Sequence, residues 1–230
     1  MSGPDPDVAR RAVVRDSLGV AIATGAYGVS FGAVAVTSGL DVAQACALSL
    51  LVFTGASQFA LVGVLAAGGS PWAGAASACL LGTRNTLYGL RLAPLLGWRG
   101  WRRAAAAHVV IDESTAMAWG RSTPALARTG FLVTGVGIFA LWNAATLLGA
   151  LAGSSVADPE ALGLDAAVAA AFLALLWPRV DSPAARVVAV LAAAVALGAV
   201  PLTPAGVPVL LAGGVALLSG LLAPRGTGAD

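Results

Sequence analysis

Charge is scarce in this chain of 230 residues: 10% of the residues are charged, whereas 58% are hydrophobic. Soluble globular chains are about 25% charged. A water-soluble fold of this length could not keep so much apolar surface away from water. Three charge-free stretches, residues 42–83, 129–157 and 187–224, are each long enough for one or two membrane spans of about 20 residues. The composition therefore predicts an all-α polytopic membrane protein.

Residues that bind metals or act as nucleophiles are also few. Cys46 and Cys79 lie in apolar runs, where we expect small buried hydrophobic side chains. The one histidine, His108, has no His or Cys at ligand spacing. The sequence contains no phosphate-binding loop, no zinc-binding helix motif and no Ser/His/Asp set in a supporting context. We therefore predict no enzyme, cofactor or metal site, and the net charge of +2 gives no indication of nucleic-acid binding.

What the chain has instead is a series of apolar segments separated by glycine, proline and charged residues. The pattern predicts seven or eight membrane segments in a single transmembrane domain at residues 17–223. A cytoplasmic segment at 1–16 precedes this domain, and a short tail at 224–230 follows it. The predicted segments lie at about 17–38, 42–67, 71–94, 104–120, 129–152, 163–178, 184–201 and 205–223.

The placement of arginine predicts the orientation, since cytoplasmic loops are enriched in basic residues. All 13 basic residues are arginine, and those within 10–15 and 179–186 place the N-terminus and the later loop in the cytoplasm. With eight simple spans, GWRGWRR at 97–103 would lie outside. Two explanations remain open: a local violation of the rule, or six full spans plus two discontinuous or re-entrant helices. The interruptions would fall at FTGASQFA and HVVIDESTAM.

Arg84 lies deep inside the third segment, in the stretch LLGTRNTLYGLRLAP. An arginine at mid-membrane depth is costly unless it faces protein or water and has a partner. At helical spacing it shares a face with Tyr88 and Arg91. We expect Arg84 to line a substrate path, with a structural ion pair as the alternative.

The acids of IDESTAM are the natural partners of Arg84. Asp112 and Glu113 are adjacent and so about 100° apart on a helix, which predicts that only one of them pairs with Arg84. The other is then available for proton coupling or for an ammonium group, because a low-dielectric site favours the neutral form of a carboxylic acid. On a continuous helix, His108, Asp112 and Thr115 would share a face. The alternative is a solvated loop.

Polar residues also interrupt the second segment, where Thr54 and Gln58 are one helical turn apart and Ser57 lies between them. The amide of Gln58 must bond a neighbouring helix or a ligand, and both readings stay open. In the first segment, TGAYGVSFG is either a close-packing surface, like Gly149 to Gly153, or a break that lines a cavity. Five of the six tryptophans lie near segment ends and predict an aromatic belt: Trp72, Trp98, Trp101, Trp119 and Trp177.

Taken in order, these stretches resemble the AzlC family, the large subunits of branched-chain amino acid exporters. The resemblance rests on GVSFGAVAVTSGL, ALSLLVFTGASQFALVGVLAAG, GTRNTLYGLRLAP and DESTAMA, and it covers roughly residues 17–120. Two departures stand out. The family's Pro–Phe–Gly turn reads Ser30–Phe31–Gly32 here, and its Arg–His pair reads Arg84–Asn85, so any proton carried by that histidine would need another route.

The resemblance implies a secondary transporter that exports hydrophobic amino acids across the cytoplasmic (inner) membrane, coupled to protons and assisted by a small four-span AzlD-type subunit. Export of another small amphiphile and a non-transporting membrane scaffold remain as rivals. The expected substrate-binding residues are Thr54, Ser57, Gln58, Arg84, Asn85 and Tyr88. The expected proton-coupling or ammonium-binding residues are Asp112 and Glu113.

Overall fold

The computed structural model describes residues 6–155, 173, 177 and 180–222, and this part of the chain has helices and no strands. The predicted all-α class is confirmed. The sixth predicted segment, at 163–178, lies almost wholly outside the described residues. The ten described helices are α1 (Pro6–Ala26), α2 (Gly28–Thr37), α3 (Val42–Leu51), α4 (Gly55–Ala66), α5 (Pro71–Leu96), α6 (Gly100–His108), α7 (Asp112–Ala118), α8 (Pro124–Ser154), α9 (Pro183–Ala199) and α10 (Val207–Leu222).

Local signals in the sequence set the helix ends. The hydroxyl groups of Ser70, Thr123 and Ser182 each accept a hydrogen bond from the backbone N–H three residues on, and proline follows each of them. Proline suits the first helical position because its missing N–H has no partner there in any case. At the other end of α5, Gly97 takes a left-handed conformation at φ 66°. These caps place α5, α8 and α9 within a few residues of their predicted positions.

Two helical stretches are long and apolar enough to cross a membrane, Pro6–Thr37 and Pro124–Ser154. The first combines α1 and α2 around a turn at Tyr27, and it begins well before the predicted residue 17. Helices α9 and α10 are apolar but shorter, and α5 is long but carries Arg84 and Arg91. The total of seven or eight segments stays a prediction.

The long helix α8 is the centre of the fold, and α1, α2, α3 and α7 pack against it. Glycines on both sides allow the closest approach. A Cβ atom at Gly32 would overlap the carbonyl oxygen of Thr146, and one at Gly149 would overlap that of Val29. The predicted close packing of the glycine-rich first segment against a neighbouring helix is therefore correct.

Helices α9 and α10 pack mainly on each other, and α10 also contacts α5. Most of their large apolar side chains are exposed, such as Leu197, Leu218 and Leu221. An apolar face that water would disfavour is stable against lipid. This hairpin therefore sits at the edge of the α8-centred body.

Candidate functional site

Two helical segments are interrupted by non-helical backbone, a third has a one-residue turn at Tyr27, and all three positions border one cavity. Tyr27 separates α1 from α2, Val52–Thr54 separate α3 from α4, and Val109–Ile111 separate α6 from α7. Tyr27, Phe53, Thr54 and Ile111 all line the cavity. The predicted breaks in FTGASQFA and HVVIDESTAM are present. In TGAYGVSFG the close-packing interpretation holds, because Tyr27 keeps helical backbone angles, and the residue nevertheless lines the cavity. Whether the second and fourth segments re-enter on one side of the membrane stays a prediction.

The cavity has a volume of about 350 Å³. This lies in the range of small-molecule sites, about 300–1,000 Å³. Its walls are largely apolar and aromatic, with hydroxyl groups and charged side chains at a few points. The lining residues are Ala23, Thr24, Tyr27, Phe53, Thr54, Gly55, Ala56, Phe59, Leu81, Arg84, Ile111, Asp112, Glu113, Ile138 and Trp142.

An ion pair between α5 and α7 forms the polar wall. Nη1 of Arg84 lies 3.1 Å from Oδ2 of Asp112, and the two side chains are 28% and 18% exposed. Glu113 lines the cavity beside them. The Nε atom of Arg84 is buried and has no hydrogen-bond acceptor among the described residues. Arg84 therefore has donor capacity that Asp112 does not use.

Asp112, the acid that meets Arg84, is the first residue of α7, and hydrogen bonds of Ser114 fix that start. The hydroxyl group of Ser114 accepts a hydrogen bond from the Ile111 N–H at 3.1 Å and donates one to the Val109 carbonyl at 2.7 Å. These bonds close the interruption and start α7 at Asp112. Both acids then lie in the first turn, where the helix dipole favours negative charge.

The start of α4 adds a second polar element. Thr54, Gly55 and Ala56 line the cavity, and Thr54 takes the N-cap position without accepting a hydrogen bond from the first turn. First-turn N–H groups have no intrahelical acceptor. They carry the positive end of the helix dipole, so this end of α4 favours an anionic group in the cavity.

The apolar wall is centred on Trp142, which is held from three sides. Its Nε1–H donates to Oε1 of the fully buried Gln58 at 3.1 Å. Its ring stacks on Phe31, with centroids 6.1 Å apart. A Cβ atom at Gly55 would lie 3.2 Å from Cη2 of the indole, so the glycine leaves the room that the ring occupies.

The sequence left open whether the Gln58 amide bonds a neighbouring helix or a ligand, and its nitrogen atom bonds a neighbouring helix. Its Nε2 group donates long hydrogen bonds to the carbonyl groups of Leu48 and Ser49, at 3.4 and 3.5 Å. All the resolved bonds of Gln58 therefore go to neighbouring helices. It ties α3 and α4 to the tryptophan of α8 and supports the cavity from behind.

Of the eight predicted site residues, the structure brings four to the cavity: Thr54, Arg84, Asp112 and Glu113. Ser57 is buried behind the wall, near Gly82 of α5. Asn85 lines a separate groove between α5 and α6, and Tyr88 packs half-buried against the core.

The expectation that His108, Asp112 and Thr115 share one helical face is wrong, because the chain leaves the helix at Val109. His108 instead ends α6, with Nε2 2.9 Å from the carbonyl oxygen of Leu50. Its ring packs against Phe53 and Phe139.

Sequence reasoning missed Tyr27 and Trp142. The signal for Trp142 was its position in the middle of a charge-free run, away from the segment ends where the other tryptophans lie. For Tyr27 the signal was a polar aromatic residue between Gly25 and Gly28, at the point where a backbone break was considered.

An ionised pair inside an apolar helical body, at the junction of broken helices, is typical of membrane transport proteins. The chain belongs to the AzlC family: the family model described as AzlC protein matches residues 19–156, more than half of the sequence. The family is associated with transport and is not a family of enzymes. The comparisons with curated proteins and with solved structures gave no match.

Proposed function

We propose that this chain is the transport subunit of a secondary exporter of branched-chain or other hydrophobic amino acids. The observation that carries the proposal is the Arg84–Asp112 ion pair in the wall of an otherwise apolar cavity. The membership of the AzlC family supports the same function.

A hydrophobic amino acid presents three groups, and the cavity offers a surface for each. Arg84, together with the start of α4, suits the carboxylate, because a guanidinium binds carboxylates in a bidentate way. Asp112 and Glu113 suit the ammonium group. Phe53, Phe59 and Trp142 suit the apolar side chain. The predicted binding roles of Thr54 and Arg84 are retained in this arrangement.

Ser57, Gln58, Asn85 and Tyr88 take supporting positions in the proposal. Gln58 fixes the indole of Trp142 and the ends of the interrupted second segment. Ser57 packs against α5, the helix that carries Arg84, and Tyr88 belongs to that helix. Asn85 follows Arg84 in the chain and lies toward the groove. Their substitution would change the shape of the site rather than remove a direct contact.

The proposed coupling uses the exchange of partners in the ion pair. A zwitterionic substrate that enters from the cytoplasm places its carboxylate on Arg84 and its ammonium group on an acid, so the pair opens without a net change of charge. A proton arriving from outside neutralises Asp112 or Glu113. The ammonium group then loses its partner, and the substrate leaves to the outside. When the empty site opens to the cytoplasm, the acid releases its proton there and the Arg84–Asp112 pair forms again, which completes the alternating-access cycle.

We further propose that the chain resides in the cytoplasmic membrane with its N-terminus inside, and that it works with a small four-span AzlD-type subunit. The arginine-rich start of the chain supports the orientation. Export of another small amphiphile would use the same surfaces with a different apolar group.

The experiment is efflux of preloaded radiolabelled leucine from cells that express this chain alone, the small subunit alone, or both. The proposal predicts faster efflux only when both are present. If well-expressed chains together leave leucine efflux at the background rate, while another amphiphile is exported, the substrate class is wrong. If no solute is exported, transport itself is contradicted.

One observation favours a second candidate, a structural scaffold without transport. The ion pair is partly buried and joins α5 to α7, as a structural staple would. A staple and a substrate site respond differently when the two charges are exchanged, and that difference separates the candidates.

A further inference from the structure

The structure contains a second cavity, distinct from the candidate transport site, between the C-terminal half of α5 and α6. Its volume is about 350 Å³, and its walls are mostly aliphatic. Leu92, Leu96 and Val110 form the buried floor, while Leu90 and Ala107 are exposed at the rim. The shape is that of an apolar groove open to the surroundings of the protein.

One end of this groove is basic. Arg103 lines it directly, whereas Arg99 and Arg102, in the same stretch of chain, lie outside its lining. All three arginine side chains are exposed, and none of them has an acidic partner among the ion pairs of the described residues. Arg99 also takes the N-cap position of α6, where its side chain accepts no hydrogen bond from the first turn. An anionic group at this end would meet the guanidinium of Arg103 and helical N–H donors.

The helix α6 has the character of an interfacial element. Arg102 and Arg103 lie one helical turn before the buried Ala106, so the basic residues and the groove share one side of the helix. Trp101 is 76% exposed, and the guanidinium of Arg102 lies 5.7 Å from the ring centroid. Helices that carry exposed tryptophan and arginine are typical of the boundary between lipid and water.

We propose that this groove binds a phospholipid with an anionic head group, with the phosphate at Arg103 and the N-terminus of α6 and an acyl chain along Leu92 and Leu96. A soluble anion would match only the basic mouth, and the exposed Trp101 of α6 favours a lipid over a peptide, because tryptophan is enriched at membrane interfaces. The proposal also gives a role to GWRGWRR, whose position conflicts with a simple count of eight spans. Basic clusters beside membrane helices attract anionic lipids.

Two substitutions test the two ends of the site separately. R103Q removes the charge at the mouth, and R102Q, on the same helix but outside the groove lining, is its matched control. G89L fills the groove from α5, where an added Cβ atom would meet nothing within 4 Å. G19L is its control, because Gly19 is a helical glycine with equally open surroundings on α1.

The measurement is native mass spectrometry of the purified full chain, with phosphatidylglycerol and phosphatidylcholine added in equal amounts. We expect the wild type to retain phosphatidylglycerol preferentially. The R103Q variant should lose about fivefold of that preference, and G89L should lose binding of both lipids at this site. R102Q and G19L should behave as the wild type does, and millimolar glycerol phosphate should not displace the lipid.

Three results would overturn the proposal. The first is retention of phosphatidylglycerol in both R103Q and G89L. The second is an equal loss in R102Q and R103Q, which would indicate diffuse attraction to basic charge. The third is displacement by glycerol phosphate, which would indicate a site for a soluble phosphate. If R103Q does not fold, the comparison of G89L with G19L still tests whether the lipid occupies the groove.

Discussion

The α8-centred body and the α9–α10 hairpin are both apolar and helical, but they are built differently. Within the body, two segments are interrupted, glycines allow backbones to touch, and an ion pair is partly buried. Within the hairpin, both helices run without a break, and most large side chains face outward. Gly198 and Gly214 meet nothing there, and Gly213 meets only the Leu80 side chain of α5. Irregular backbone at membrane depth is tolerated where it lines a cavity. We therefore assign the polar cavity site to the body and contact with lipid to the hairpin.

The largest effect is expected from removing charge in the cavity. R84Q leaves Asp112 without its cation, and it removes the proposed carboxylate ligand. Leucine efflux should fall by about tenfold to a hundredfold, the range for loss of a charged hydrogen-bonding partner. The control is R91Q, on the same helix but exposed and outside the cavity lining. Normal efflux by well-expressed R84Q would show that the cavity does not use this residue.

A smaller but clear loss of stability should follow from G32A. The added Cβ atom would overlap the Thr146 carbonyl, so α2 and α8 must move apart. Overpacking of this kind costs about 1–3 kcal/mol, and the melting temperature in detergent should fall by roughly 2–10 °C. G198A makes the same chemical change on α9, in open space. Equal melting temperatures for the two variants would contradict the contrast between body and hairpin.

A moderate effect on substrate recognition is expected from G55A. Its Cβ atom would press on the Trp142 indole at 3.2 Å, and the ring must shift by a few tenths of an ångström. The KM for leucine should rise by about fivefold, with little change in stability because alanine favours the helix. G19A, on open surface, should leave the KM unchanged. An unaltered KM in G55A would remove Trp142 from the binding wall.

The smallest effect is expected from L197A on α9. The side chain is 72% exposed, so its truncation removes contacts with lipid rather than with protein. Efflux and melting temperature should stay within error of the wild type. A loss of efflux comparable to that of R84Q would show that the hairpin belongs to the transport machinery.

Much of this arrangement was predictable from local patterns. Ser–Pro and Thr–Pro pairs mark the starts of α5, α8 and α9, and clusters of polar residues mark the interrupted segments. The pairing of Arg84 with an acid of IDESTAM followed from the cost of an unpaired charge in an apolar segment. Each of these features has its physical cause within one short stretch of sequence, such as a helix cap or an arginine in an apolar segment.

What escaped prediction depends on contacts between distant segments. The position of Asp112 at the start of α7 depends on the Ser114 bonds to Ile111 and Val109, and its pairing with Arg84 depends on how α7 packs beside α5. The role of Gln58 depends on Trp142, 84 residues away. The contact of His108 with the Leu50 carbonyl joins two interruptions whose juxtaposition only the tertiary fold creates. Periodicity within one segment contains no information about such pairs.

The central claim is that the Arg84–Asp112 pair belongs to a substrate site and is more than a staple. The most direct test is the exchanged variant R84D/D112R, measured for leucine efflux and for melting temperature beside R84D alone. The account predicts that the exchanged variant regains the stability that R84D loses but exports no leucine, because each charge now faces the wrong group of the substrate. Leucine efflux at the wild-type rate in the exchanged variant would contradict the account and leave the pair a structural staple.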